Sequence, residues 1–386
     1  MSKILFISNL SNRISSFVTA SISAAHHLNI EFYQAANWQS STKEQIFADE
    51  QEYGIKINSV PISRNPLAGT NLTAYKALVE LVKREKIDYI HCNTPVGGIL
   101  GRLVGKKCNV KKVIYQAHGF HFYKGAPLLN WLLYYPVEKY LAHYTDVLIT
   151  INREDYALAK RKMKLRNGGK VYCVPGVGVD NLKFSKASSD KAAKRRELGI
   201  PEDAVLLLSV GELNGNKNHE TVIRAIADMN VCYIIAGQGE RQQDLANLID
   251  VQSLQDRVKL LGFRSDVKEL YEAADIFVFP SFREGLPVSV MEAMASGLPC
   301  VASRIRGNVD LIEDCVNGFL CDPHDASDFS EKINLLASDA GLREAMGNSN
   351  RMAVQKFGTE NVIQEMQNIY AAELLHNQSI CLKIGG

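Results

Sequence analysis

Residues 274–294, ADIFVFPSFREGLPVSVMEAM, decide the fold of this chain. The run ADIFVFP is rich in β-formers and reads as a strand buried on both faces. Pro287 suits a first helical turn, because it lacks an N–H that would find no partner there anyway. VSVMEAMAS then carries helix-compatible apolar spacing up to Gly297, a suitable stop. The order is strand, tight loop, helix. Glu284 falls in the loop at the strand's carboxyl end, and Glu292 lies about one and a half turns into the helix. Free backbone N–H groups stand between them. Open α/β sheets bind ligands at such a place, and a helix N-terminus favours anions. Two carboxylates flanking an anion site suit a ligand with charge in its middle and hydroxyls at both ends, the shape of a nucleotide sugar. The same spacing also fits a loop-capping glutamate and one on a solvated helix face, so the rest of the chain must decide.

With 386 residues the chain has room for two domains with real cores. Hydrophobic residues make up 46% and charged residues 22%, ordinary for a globular protein. A net charge of +2 gives no global case for nucleic acid. Local basic clusters stand at Lys106, Lys107, Lys111 and Lys112, and at Lys160, Arg161, Lys162, Lys164 and Arg166. The eight cysteines form no C-x-x-C pair and read as reduced, mostly buried thiols of a cytoplasmic protein. MSKILFISNL reads as a first strand rather than a signal peptide. No apolar run approaches the ~20 residues that span a bilayer, so membrane contact is expected to be peripheral.

Strand-like and helix-like runs alternate throughout. In the first half the strands are expected at 3–8, 30–35, 56–60, 88–93, 112–118 and 146–151, with helices at 14–28 and 73–86 among them. The pattern restarts with strands at 204–213, 232–239, 257–263, 275–281 and 299–304, interleaved with helices near 218–228, 267–273 and 287–296. Such alternation implies parallel sheets with right-handed crossovers, hence an α/β protein of two Rossmann-like domains. The expected division is 1–175 and 176–386, with a hinge near 174–184. The helical stretch 359–375 is left to either domain, and a loose tail is expected after about 376.

Several weaker signals fall where a strand meets the cleft expected between the domains. SVGELNGNKNHETVIRAI (209–226) places Lys217 at a helix entrance, where a point charge can neutralise a diphosphate. IAGQGE (235–240) offers Gly237 and Gly239, which also fit a simple tight turn. LGFRSDV (261–267) brings Phe263 and Arg264 to a strand end, suited to clasping a nucleobase. YQAHGFHF (115–122) puts His118 at another strand end; a metal pairing with His121 is disfavoured by the loop context and the missing carboxylate partner.

Taken together these stretches resemble glycosyltransferase family 4, whose members have the two-domain GT-B fold. The resemblance covers essentially the whole chain. Its most specific part is EGLPVSVMEAMASGLPCVAS, the E-x7-E signature with its following punctuation, continued by GELNGNKN, LGFRSDV and VNGFLCDP. The segment from HCNTPVGGILGRL through VIYQAHGFHFYKGAPLLNWLLYYPVEKYLAHYTDVLITIN is similar to bacterial exopolysaccharide and capsule transferases of the EpsD-like type. By this resemblance Glu284 stands near the donor-sugar hydroxyls, Glu292 holds the ribose, and Lys217 meets the diphosphate. The peptide groups of Gly285, Leu286, Pro287 and Val288 complete the cradle, and His118 approaches the transferred sugar. The resemblance further implies a retaining transfer without bound metal or other cofactor. The donor is a nucleotide sugar, expected to be a UDP-sugar, and the acceptor a saccharide on undecaprenyl diphosphate at the inner face of the cell membrane. Two positions depart from the family. Its usual arginine after the glycine of the Lys217 strand is here Glu212, leaving Arg264, Arg304 or Arg306 to assist. The usual glycine-rich first loop is replaced by SNLSNRISS (8–16).

Two rivals share the architecture. A nucleotide-sugar epimerase would release free product without an acceptor, and a non-catalytic sensor would bind UDP without consuming donor. A last segment, APLLNWLLYYPVEKYLAHY (126–144), is apolar around most of a helical wheel. That pattern fits a core helix, or a lipid-facing one carrying an interfacial Trp and Tyr cluster and broken or kinked at Pro136.

Overall fold

The computed structural model describes residues 1–186 and 190–375. The tail expected to be loose after about 376 lies outside the described residues, as does Cys381. The described chain divides into two compact units. One comprises Met1–Val177 with the segment from Thr359 onward; the other is Gly178–Gly358.

The first unit holds seven strands: β1 (Lys3–Leu10), β2 (Glu31–Asn37), β3 (Lys56–Ser59), β4 (Tyr89–Asn93), β5 (Lys112–Ala117), β6 (Val147–Thr150) and β7 (Lys170–Cys173). Their spatial order is β3-β2-β1-β4-β5-β6-β7. The second unit holds β8 (Val205–Val210), β9 (Val231–Ala236), β10 (Val258–Gly262), β11 (Ile276–Phe279), β12 (Cys300–Ser303) and β13 (Gly318–Cys321), ordered β10-β9-β8-β11-β12-β13. Every neighbouring pair is parallel. β11 is buried at all four positions because helices cover both faces of the sheet, so its sequence IFVF has no polar alternation. Strand order reverses between β1 and β4 and again between β8 and β11. Chain ends diverge at these two points and leave crevices at the strands' carboxyl ends.

Two strands escape the sequence pattern. β7 (KVYC) and β13 (GFLC), four-residue strands at one edge of each sheet, were not expected from the sequence. The segment 126–144 forms the helix Leu128–Ala142, which runs through Pro136 instead of ending there. It is not a core helix, since only Leu141 and Ala142 are buried. All seven described cysteines are free; Cys92, Cys232, Cys300 and Cys321 are buried and Cys108 half-buried, in line with mostly buried thiols, and Cys173 and Cys315 are the exposed exceptions.

The helix Thr359–Tyr370 packs on the helix Ser16–His27 within the first unit. Under these helices the sheet carries an unexpected polar layer. His91 of β4 is fully buried, its Nδ1 2.7 Å from the Tyr370 hydroxyl and 3.4 Å from Ser21 Oγ. Gln34 and Gln116 are also buried. Burial holds the His91 pKa down to about 3, and it holds His118 and His219 down to about 4. These imidazoles are neutral in the fold and protonate near the usual 6.5 once the chain unfolds. The unfolded state then binds more protons below that pH, so their contribution is fully present above about 6.5 and is lost as pH falls towards 4. We expect unfolding free energy to drop by on the order of 3 kcal/mol between pH 7 and 4 on account of His91 alone. Urea titrations across that range should show it, with a shallower slope for His91→Gln. An equal slope in the variant would mean that His91 protonates in the fold as readily as in the unfolded chain.

Candidate active site

In the second unit the loops leaving β8 and β11 meet at the point where strand order reverses. They are stitched by one backbone and one side-chain hydrogen bond: Phe282 N donates to Asn216 O at 2.9 Å, and Asn216 Nδ2 to Arg283 O at 2.9 Å. Asn218, in the left-handed region at φ 55°, turns the chain into the helix His219–Ala225. Its amide donates to Pro280 O at 3.0 Å and Pro323 O at 2.8 Å. Lys217 is thereby held against Glu284, Nζ to Oε1 at 2.8 Å, with Nζ 4.7 Å from the centre of the Phe279 ring. The two side chains keep 19% and 16% of their surface in solvent, so the pair is partly desolvated but reachable by a ligand. Gly211 makes room for it, since a Cβ there would stand 3.2 Å from Lys217 Cε.

Glu284 leads through Gly285 and Leu286 into the helix Val288–Ser296, with Pro287 as the residue just before the helix rather than inside its first turn. Of the four residues expected to offer peptide N–H groups, Pro287 has none to give. No side chain caps this N-terminus, so its first N–H groups are available to an anion. Gly307, at φ 84°, backs the loop: a Cβ there would come within 2.4 Å of Gly285 O. Glu292, one turn along the helix, accepts from the Tyr271 hydroxyl at 3.0 Å, and the same hydroxyl donates to Ser289 O at 3.1 Å. Burial raises the Glu292 carboxyl pKa, and the Tyr271 hydrogen bond opposes that rise.

The remaining expected donor residues are placed differently. Gly237 and Gly239 lie beneath the Lys217 loop, where side chains would collide with Gly211 O (1.8 Å) and Leu213 O (2.3 Å). They let two strand-end loops approach, a signal visible in sequence only as a turn. Phe263 is exposed at the end of β10. Arg264 is taken up by Asp266 (2.7 Å) and Glu197 (2.8 Å), and Arg304 by Asp314. Arg306 is the one of the three touching the Glu284 loop, Nε to Glu284 O at 3.0 Å, and it is nearly buried. Glu212 accepts from the Asn214 side chain at 2.8 Å.

His118 stands in the first unit, directly after β5. Asn93 Nδ2 lies 3.4 Å from its Nε2, and the Phe17 ring meets it edge-on at 4.9 Å. Neutral at pH 7, it is a hydrogen-bonding group and not a cation. The His121 ring lies against that of Tyr134, tilted by 34° with centres 4.7 Å apart. Two features of this region were missed. Asn9 accepts from Thr94 Oγ1 at 2.8 Å and from Gly97 N at 2.6 Å, and Thr94 adopts φ 62°, ψ 156°, a strained conformation for a β-branched residue. In place of a glycine-rich first loop, buried Asp49 holds Arg13 Nε at 2.7 Å and Ile14 N at 3.0 Å. Among the described residues no three of His, Cys, Asp and Glu cluster as a metal ligand set.

Comparison with known proteins follows the same division. Residues 190–352 match the family model described as glycosyl transferases group 1, and residues 3–152 match the one described as glycosyl transferase 4-like. The chain is 36% identical over 378 residues, 96% of each protein, to "Putative glycosyltransferase EpsD" of Bacillus subtilis (strain 168). It is 30% identical to the UDP-Gal:alpha-D-GlcNAc-diphosphoundecaprenol alpha-1,3-galactosyltransferase of Escherichia coli, covering 76% of this chain and 78% of that one. Among solved structures, Anabaena Alr3699/HepE in complex with UDP and glucose matches with a TM-score of 0.78 at 21% identity, covering 96% of this chain and all of that one. The sucrose-phosphate synthase of Thermosynechococcus elongatus matches at 0.79 and 20%, covering 96% and 99%. At these identities the structures speak for the fold alone.

Proposed function

Because this chain belongs to the group 1 glycosyltransferases of family 4, with the GT-B fold, we propose that it is a retaining enzyme taking a sugar from a UDP-sugar. The acceptor in this reading is a saccharide carried on undecaprenyl diphosphate, and the product feeds exopolysaccharide or capsule assembly at the inner face of the cell membrane. The observation that carries the donor side is the Lys217–Glu284 pair at 2.8 Å, set at the strand-order reversal beside an uncapped helix N-terminus. As the sugar–phosphate bond breaks, negative charge collects on the diphosphate. An ammonium group and backbone N–H groups fixed in advance stabilise that charge without reorganising. Glu284 then addresses the sugar hydroxyls, Glu292 the ribose, and His118 the transferred sugar. Arg306 buttresses the Glu284 loop in place of the arginine replaced by Glu212. The acceptor class rests on the Escherichia coli relative, whose name specifies a diphosphoundecaprenol-linked sugar.

The test is UDP release from a panel of nucleotide sugars, with and without membrane extract as acceptor source. Donor consumption that depends on the extract supports transfer; consumption without acceptor would favour an epimerase. Since Lys217 and the helix N-terminus supply positive potential at the diphosphate, we expect full turnover in EDTA. Activity that returns only on adding Mg²⁺ or Mn²⁺ would overturn the metal-free mechanism.

A further inference from the structure

The helix Leu128–Ala142 turns its two sides to very different surroundings. On its inner side Trp131 and Tyr135 pack on Phe122, with ring centres 5.5 and 5.3 Å away. Glu138 accepts two hydrogen bonds from buried Arg102, at 2.6 and 3.1 Å, and Arg102 lies 3.8 Å from the centre of the Tyr115 ring. The helix is therefore fastened by an ion pair and aromatic contacts, and its leucines are not needed for the core. On the outer side Leu128, Leu129, Leu132, Leu133 and Val137 are exposed, Leu128 at 81% and Leu132 at 72%. A contiguous patch of this kind marks an interaction surface.

Charge indicates what the surface meets. The only carboxylate in the helix, Glu138, is turned inward and neutralised. Lys106, Lys107, Lys124 and Lys139 remain exposed. Lys106 reaches the helix's far end through Tyr144 (2.7 Å), whose hydroxyl meets that of Tyr140 at 2.8 Å. A second copy of the chain related by a two-fold axis would bring these lysines towards one another, whereas an anionic surface would neutralise them. No helix of the described residues is long and apolar enough to cross a membrane, so contact by this helix would lie in the interface plane.

We propose that the outer face of Leu128–Ala142 seats in the headgroup region of an anionic bilayer, leucines towards the acyl chains and lysines on lipid phosphates. The purpose of this contact, access to a lipid-borne acceptor, rests on the transferase reading; its chemistry does not. Trp131, expected from sequence to face lipid, serves the inner packing instead, with Nε1 donating to Tyr123 O at 3.3 Å, and is not a useful probe.

The experiment is vesicle sedimentation with phosphatidylcholine alone and with phosphatidylglycerol added. The protein should bind the anionic vesicles at low salt and release several-fold on raising salt to about 0.5 M. Leu132→Asp with Leu133→Asp should weaken partitioning by about tenfold or more at an unchanged melting temperature. Should that pair lower the melting temperature, Lys124→Glu with Lys139→Glu decides, by loss of the preference for anionic vesicles. Absence of binding at low salt, or equal binding by the variants, would overturn the proposal. So would a wild-type dimer that the leucine variant converts to a monomer. Calorimetric titration with UDP runs alongside: a protein that binds vesicles but not UDP would refute the donor reading and leave the docking surface standing.

Discussion

Lys217→Ala should lower kcat by about 10²- to 10³-fold while changing affinity for the UDP-sugar far less. In the proposed reaction the ground-state diphosphate charge would already be shared between solvent and the helix N-terminus. In the transition state the leaving oxygen acquires further charge, and a group that meets it only then raises kcat rather than lowering KM. The resting partner of Lys217 is Glu284, at 2.8 Å. Removing the lysine leaves a partly buried carboxylate beside the site, so an anionic donor also loses some ground-state affinity. Lys217→Arg keeps the charge but places a broader, planar group where Gly211 already stands close to the side chain. It should recover only part of the rate. Steady-state kinetics with calorimetric UDP titration separate these contributions. Normal kcat with raised KM would reduce Lys217 to a binding residue.

Exchanging the two glutamates for glutamine should split their roles. Glu292→Gln should weaken UDP and the intact UDP-sugar alike, by roughly 10- to 100-fold, the worth of a charge-assisted hydrogen bond. Tyr271 fixes the carboxylate from one side at 3.0 Å, so Tyr271→Phe should show a smaller loss in the same direction. Glu284→Gln should leave UDP binding intact or slightly tighter, because it frees Lys217 from its carboxylate, while turnover of the sugar donor falls sharply. Equal losses of UDP affinity in both variants would refute the division.

Much of the candidate site in the second unit was legible because its elements are local. A strand such as IFVF, buried on both faces, is an apolar run in sequence, and the residues between it and the next helix must lie in the loop at its carboxyl end. Gly237 and Gly239 were legible as a turn but not in purpose, since what they accommodate is the backbone of Gly211 and Leu213 more than twenty residues earlier. The three candidate arginines were indistinguishable in sequence. Which of them meets carboxylates and which touches the Glu284 loop depends on partners such as Glu197, 67 positions from Arg264.

The sequence by itself determined that strands and helices alternate twice, that the second series ends its strands in Lys217 and Glu284 loops, and that no global charge favours nucleic acid. Only the tertiary structure decided that those loops are neighbours, because adjacency across 67 residues follows from strand order and not from periodicity. It also decided the fate of the segment 126–144. An apolar wheel reports that a helix can be buried; whether it is depends on what other elements leave uncovered. Here a buried Arg102–Glu138 pair and the Phe122 ring hold one side, and nothing else among the described residues covers Leu128, Leu129, Leu132 and Leu133. The polar layer of Gln34, His91 and Gln116 was hidden for the same reason, since a histidine in a strand becomes buried and neutral only when helices from both ends of a unit, Ser16–His27 and Thr359–Tyr370, close over it.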